Sequence, residues 1–295
     1  MLHEAIDQWP TNPLLATDSA HLVAASGLYR TAHEVARNAQ FGASRPFALR
    51  AMAVFDAVEG RLGEASEHLE ELRGILLDAD LIAPAFEVTM GIGRLRFVAG
   101  DTTAGAREVE AFLTRYPLEA MPPAERPYLS LALFFADARL AERARELLDA
   151  YESEVPRLLK GPDGWMLHRA RAAQHMAADD AVMALRELRL ASASPRIWNE
   201  WFSPLLLGME ARPELARVFD RLGQPDSAIV VYERYIAARV LHRTEVDAFQ
   251  LAHTRRRLAV LYDAMAQDER AAAHRDALRR LWRNADPELL RLDRS

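Results

Sequence analysis

The chain has 295 residues, half of them apolar, with 37 basic against 43 acidic side chains and a net charge of −6. This composition excludes a disordered chain and argues against a partner held through a phosphate backbone, so no nucleic-acid partner is expected. The lack of cysteine excludes disulfides, thiolate metal sites and cysteine nucleophiles together.

Residues 1–16, with Trp9, Pro10 and Pro13, read as an irregular lead-in or a partial capping helix. The opening MLHEAIDQWPTNP has neither a basic lead nor an apolar run, and no 18-residue apolar stretch follows anywhere. The expectation is a cytoplasmic protein without a membrane span. An extracytoplasmic place is the alternative if the chain is an excised C-terminal sensor region.

From residue 17 onward the chain reads as helices in pairs. A first unit runs from about Thr17 to Phe41, closed by FGASRP, and a second over 47–79 turns at EGRLGEA. A third starts near Pro84 and ends at Tyr116-Pro117, followed by the proline-dense connection MPPAERP. The fourth carries Leu131, Leu133, Phe134 and Phe135 inward, then a second helix from about Ala141 to Arg157. GPDG breaks the chain before a fifth unit at 165–192. The 193–213 segment is longer than a repeat needs and holds Trp198, Trp201 and Phe202; units at 213–240 and about 245–283 complete the series.

A common signature runs through these units. A turn residue is followed five positions later by a small one: Gly27/Ala32, Gly60/Ala65, Gly100/Gly105, Arg139/Ala144, Met176/Ala181, Gly223/Ala228 and Ala266/Ala271. Seven positions before each turn stands Ala20, Ala53, Gly93, Ala132, Arg169, Ala216 or Ala259, small in every unit but the fifth. A period of 33 to 47 residues marks stacked helical hairpins, and the small residues let the paired helices cross closely. The phase of the fifth unit is open to a shift of a residue or more. The expected fold is all-α, a right-handed superhelix of about seven stacked hairpins. Residues 17–295 form one solenoid, whose natural place for a subdivision is near 193–213.

PELARVFDRLGQPDSAIVVYERYIAARV and RRLAVLYDAMAQDERAAAHRDALRRLWRNADPEL, within 213–295, resemble the C-terminal tetratricopeptide regions of bacterial serine/threonine protein kinases and related signalling proteins. LWRNADPEL, at 281–289, is the most specific part of that likeness, while the earlier units match only the general tetratricopeptide pattern. The resemblance implies an interaction or sensor module and carries over no catalysis.

His274-Arg275-Asp276 spells the start of a kinase catalytic loop, but Leu281 stands where the metal-binding Asn belongs. It reads as a chance spelling on a solvated helix face. The nine histidines are scattered, with His33-Glu34, Glu67-His68 and the pair His168/His175 as the nearest to donor groups. Sequence spacing offers at most two ligands per helix face, so no metal and no cofactor are expected.

In tetratricopeptide folds the first helix of each hairpin lines the concave face, through positions about three before and one after the small residue. Arg50, Arg94, Arg217 and Arg256 occupy such positions here. They read either as solvated surface or as an inner stripe that captures carboxylates or phosphates. Trp198 and Trp201 share a helix face and read either as cover for the extended connection or as a binding platform. The functional expectation is a non-catalytic scaffold or sensory module in bacterial signalling that holds a peptide segment, acidic by the arginine reading. A small-molecule sensor is the alternative, and a helical enzyme lacks any catalytic constellation.

Overall fold

A computed structural model describes residues 20–21, 23–24, 28–38, 42–160, 164–193, 204–238 and 243–292, without the side chains of 43, 159, 204–212, 243–244 and 291–292. The helices, in chain order, are α1 (Tyr29–Asn38), α2 (Arg45–Val58), α3 (Leu62–Asp78), α4 (Ile82–Val98), α5 (Thr102–Arg115) and α6 (Tyr128–Asp137). There follow α7 (Ala141–Glu154), α8 (Arg157–Lys160), α9 (Gly164–Ala177), α10 (Ala181–Ala193), α11 (Pro204–Arg221) and α12 (Pro225–Ala237). The last are α13 (Arg243–Ala264), α14 (Asp268–Leu281) and α15 (Pro287–Leu292). The fold is all-α, with successive helices paired into hairpins; no strand occurs among the described residues. No helix among them is long and apolar enough to cross a membrane.

The hairpins share one backbone device. Gly60, Gly100, Arg139, Asp179, Gly223 and Ala266 each adopt a left-handed φ, between 54° and 88°. After Gly60, the Arg61 N–H donates to the Asp56 carbonyl at 2.9 Å, and the Gly60 N–H donates to Ala57 at 3.1 Å. The same two bonds recur at the other five turns, the longer-range one at 2.8–2.9 Å each time. This pattern satisfies the last carbonyls of one helix while the chain reverses into the next.

Five of these six residues are the turn residues that the period selects. The fifth hairpin turns at Asp179, not Met176, so its phase shifts by three. Ala184 and Ala172 take the small positions, and each is nearly or fully buried. The register slipped because this stretch offers alanines at 170, 172, 173, 177, 178, 181 and 184. With that correction, Ala20, Ala32, Ala53, Ala65, Ala132, Ala144, Ala172, Ala184, Ala216, Ala228, Ala259 and Ala271 are all at most 5% exposed. The third hairpin uses glycine at both positions. A Cβ on Gly105 would lie 2.4 Å from the Gly93 carbonyl oxygen, so the backbones of α4 and α5 touch there.

The described chain forms two compact units, residues 1–80 with 237–295, and residues 81–236. In the second unit hairpins stack on their sequence neighbours: α9 packs on α6 and α7, and α11 on α9 and α10. Its fifth-hairpin core joins Ala172, Ala184 and Leu188 to Val218.

The first unit is built differently, because α13 packs along α2. Arg50 donates to Glu245 at 3.0 Å across 195 positions of sequence. Trp282, Ala285 and Leu289 are buried, and all three lie against the Gly60 turn. The Asp286 N–H donates to the Gly60 carbonyl at 3.0 Å, and Asp286 Oδ2 accepts from the Gly63 N–H at 2.9 Å. LWRNADPEL is therefore a docking segment for the second hairpin.

Candidate functional site

In the second unit the first helices of hairpins four, five and six, α6, α9 and α11, line one groove. A cavity of about 100 Å³ opens there among Asp137, Arg139, Ala173, Met176, Glu214 and Arg217. The hairpin register explains the grouping: Ala173 and Arg217 both follow the small residue of their hairpin by one. Arg169, three before Ala172, holds Glu214 with hydrogen bonds of 2.7–3.0 Å, and both side chains are about 15% exposed. With that pair neutral, Arg139 and Arg217 outnumber Asp137, and the groove floor carries a positive excess. Arg217 lies 3.9 Å from Asp137, an ion-pair distance too long for a hydrogen bond. The charge-assisted geometry of Arg217 is thus only half used.

The other arginines of the expected inner stripe have neighbours of their own. Arg50 pairs with Glu245 in the first unit, and the Arg256 guanidinium stands 4.7 Å from the Trp282 ring centroid. Arg94, in the second unit, lies over Phe134 at 5.7 Å. Stacking of this kind is worth about 0.5–1 kcal/mol at exposed sites and more when desolvated. Trp198 and Trp201 lie outside the described residues. His274 is buried rather than solvated, stacked on Tyr262 with centroids 5.6 Å apart. Arg275 pairs with Asp263 of α13, and Asp276 pairs with Arg279 one turn along the same helix α14.

A second constellation lies wholly within the first unit, on α1, α2 and α3. Asp56, near the end of α2, is completely buried. Its Oδ1 accepts from Arg61, which also bonds Glu59 at 2.5 Å and lies 3.4 Å from Glu64. Its Oδ2 faces two imidazoles, with His33 Nε2 and His68 Nε2 each 3.3 Å away. Neither His33 Nε2 nor Asp56 Oδ2 has a hydrogen-bond partner, although both are buried. Burial alone would raise the Asp56 carboxyl; the two facing imidazoles and the Arg61 guanidinium outweigh it and hold the group well below the usual carboxylate range. The three ligand atoms all lie within 4.8 Å of one another.

Sequence spacing misses this cluster because its members come from three helices. A signal was nonetheless present. Four residues before the turn, where Phe135, Phe219 and Tyr262 stand in other hairpins, the second hairpin places a carboxylate.

No protein-family model matches the sequence, nor does any curated protein. Among solved structures the chain is similar to a tetratricopeptide repeat protein from Parabacteroides merdae ATCC 43184. The two are 13% identical, the match covers 100% of this chain and 99% of that one, and the TM-score is 0.45.

Proposed function

We propose that the protein is a cytoplasmic, non-catalytic scaffold or sensory module of bacterial signalling that holds an acidic peptide segment in the groove between α6, α9 and α11. The observation that carries this reading is the groove floor, where Arg139, at the turn of hairpin four, and Arg217, one after the small residue of hairpin six, line one cavity together with small side chains. A preformed helical surface lowers the ordering cost of capturing an extended or helical segment. Arginines aimed into such a surface favour carboxylates or phosphates over basic groups. The likeness of 213–295 to kinase-associated repeats supports the signalling context. A small-molecule sensor draws little support from this groove. Drug-sized ligands take pockets of roughly 300–1,000 Å³ lined by aromatics, whereas this cavity is about 100 Å³ and its lining has no aromatic side chain.

Fluorescence anisotropy with a labelled Asp/Glu-rich peptide tests the reading. Binding should weaken as salt rises, and Arg217→Ala should reduce affinity about tenfold or more, since a charge-assisted bond contributes roughly 1.5–3 kcal/mol. Arg279→Ala, on α14, should leave affinity unchanged. Preference for a Lys/Arg-rich peptide, or equal losses in both variants, would refute the proposal.

A further inference from the structure

We propose that His33, Asp56 and His68 form a binding site for a divalent transition-metal ion, with zinc as the reference ion. Three observations converge on it. The first is an orphaned pair of atoms. His33 Nε2 and Asp56 Oδ2 are buried and 3.3 Å apart, yet they make no hydrogen bond with each other or with any other group. A buried carboxylate oxygen left in that condition costs free energy unless something else occupies its lone pairs.

The second is distance. In a tetrahedral site with bonds of about 2.0–2.1 Å, neighbouring ligand atoms stand roughly 3.3–3.4 Å apart. Both imidazole nitrogens lie 3.3 Å from Oδ2. Each imidazole presents Nε2, the nitrogen of the ring remote from the backbone, to the same carboxylate oxygen. Two imidazoles and one carboxylate suit zinc or a neighbouring first-row dication, and they leave a further coordination position for water or an added donor.

The third is charge and support. Arg61 fixes the other oxygen of Asp56 and is itself braced by Glu59 and Glu64, the kind of outer shell that orients a metal-bound carboxylate. Three carboxylates against one guanidinium leave two negative charges, which a dication neutralises. The His33 and His68 side chains are 16% and 24% exposed, so the cluster lies near the protein surface. Because the ligands come from α1, α2 and α3, a bound ion ties the first hairpin to the second.

The test uses the full chain stripped with chelator and titrated calorimetrically with zinc chloride. One equivalent should bind, the melting temperature should rise and level off at that equivalent, and magnesium should do neither. Cobalt(II) should give visible d–d bands that zinc displaces. His33→Gln and His68→Gln sit at mostly buried but not fully enclosed positions, and circular dichroism verifies that they fold. Each should lower zinc affinity by at least about tenfold, while His175→Gln, outside the cluster, should leave it unchanged. The proposal is overturned if the stripped protein takes up no saturable zinc, or if uptake is the same in the His33 and His68 variants as in the parent. A purely structural cluster of two imidazoles on Asp56 would give that result.

Discussion

The two compact units use the same hairpin and close it in opposite ways. In residues 81–236 each hairpin leans on the next in sequence, as α9 does on α6 and α7, so the core grows by local addition. In the other unit the second hairpin is completed by chain that arrives about two hundred residues later, through α13 along α2 and Trp282 at the Gly60 turn. Nearest-neighbour stacking makes repeat stability a sum of local terms. Closure between the second and last hairpins instead makes the stability of residues 45–78 conditional on the C-terminal segment.

Removing the key of that closure should have the largest effect. Trp282 is 2% exposed, and truncating a buried Trp to Ala costs about 3–5 kcal/mol. Trp282→Ala should therefore lower the denaturant midpoint strongly. If the midpoint moves no more than for a surface change, the segment does not support the second hairpin.

A matched pair of turns sharpens the contrast. Gly60 and Gly223 share the left-handed conformation, at φ 79° and 69°. At Gly60 an added Cβ would also lie 2.6 Å from the Ala285 Cβ, whereas at Gly223 nothing stands within 4 Å. Gly223→Ala should cost only backbone strain, about 1–2 kcal/mol; the left-handed Ala266 shows that this chain accommodates alanine in such a turn. Gly60→Ala should add overpacking of about 1–3 kcal/mol to the same strain. Equal melting shifts would erase the distinction between the two turns.

The smallest expected effect belongs to a local cap in the second unit. The Asp101 side chain accepts from the Ala104 N–H at 2.8 Å at the start of α5. Asp101→Ala should cost about 1 kcal/mol, read by chemical denaturation. A loss comparable to that of Trp282→Ala would mean that the second unit is not held mainly by its stacked cores.

The hairpins were legible because their two requirements are written in residue type: a turn that adopts left-handed φ, and small side chains where helices cross. Arg139 and Ala266 show the strength of the period, since neither residue by itself announces such a turn. Where alanine was abundant the same rule lost its phase, and Asp179 became visible only through its backbone. The closure of the first unit was not legible, because burial of Trp282, Ala285 and Leu289 depends on a surface that sequence spacing does not locate. The likeness at 281–289 marked the right segment without revealing what it packs on. The His33–Asp56–His68 cluster was hidden for a related reason: each ligand looks ordinary on its own helix, and only packing makes them converge. Asp56 in a slot that three other hairpins fill with Phe135, Phe219 or Tyr262 was the one clue.

Hydrogen exchange on the full chain and on a chain truncated after Arg280 tests the central claim most directly. Loss of residues 281–295 should strip protection from amides of α2 and α3, while amides of α6, α7, α9 and α10 keep theirs. Uniform loss across both sets, or unchanged protection in α2 and α3, would contradict closure of the first unit by its C-terminal segment.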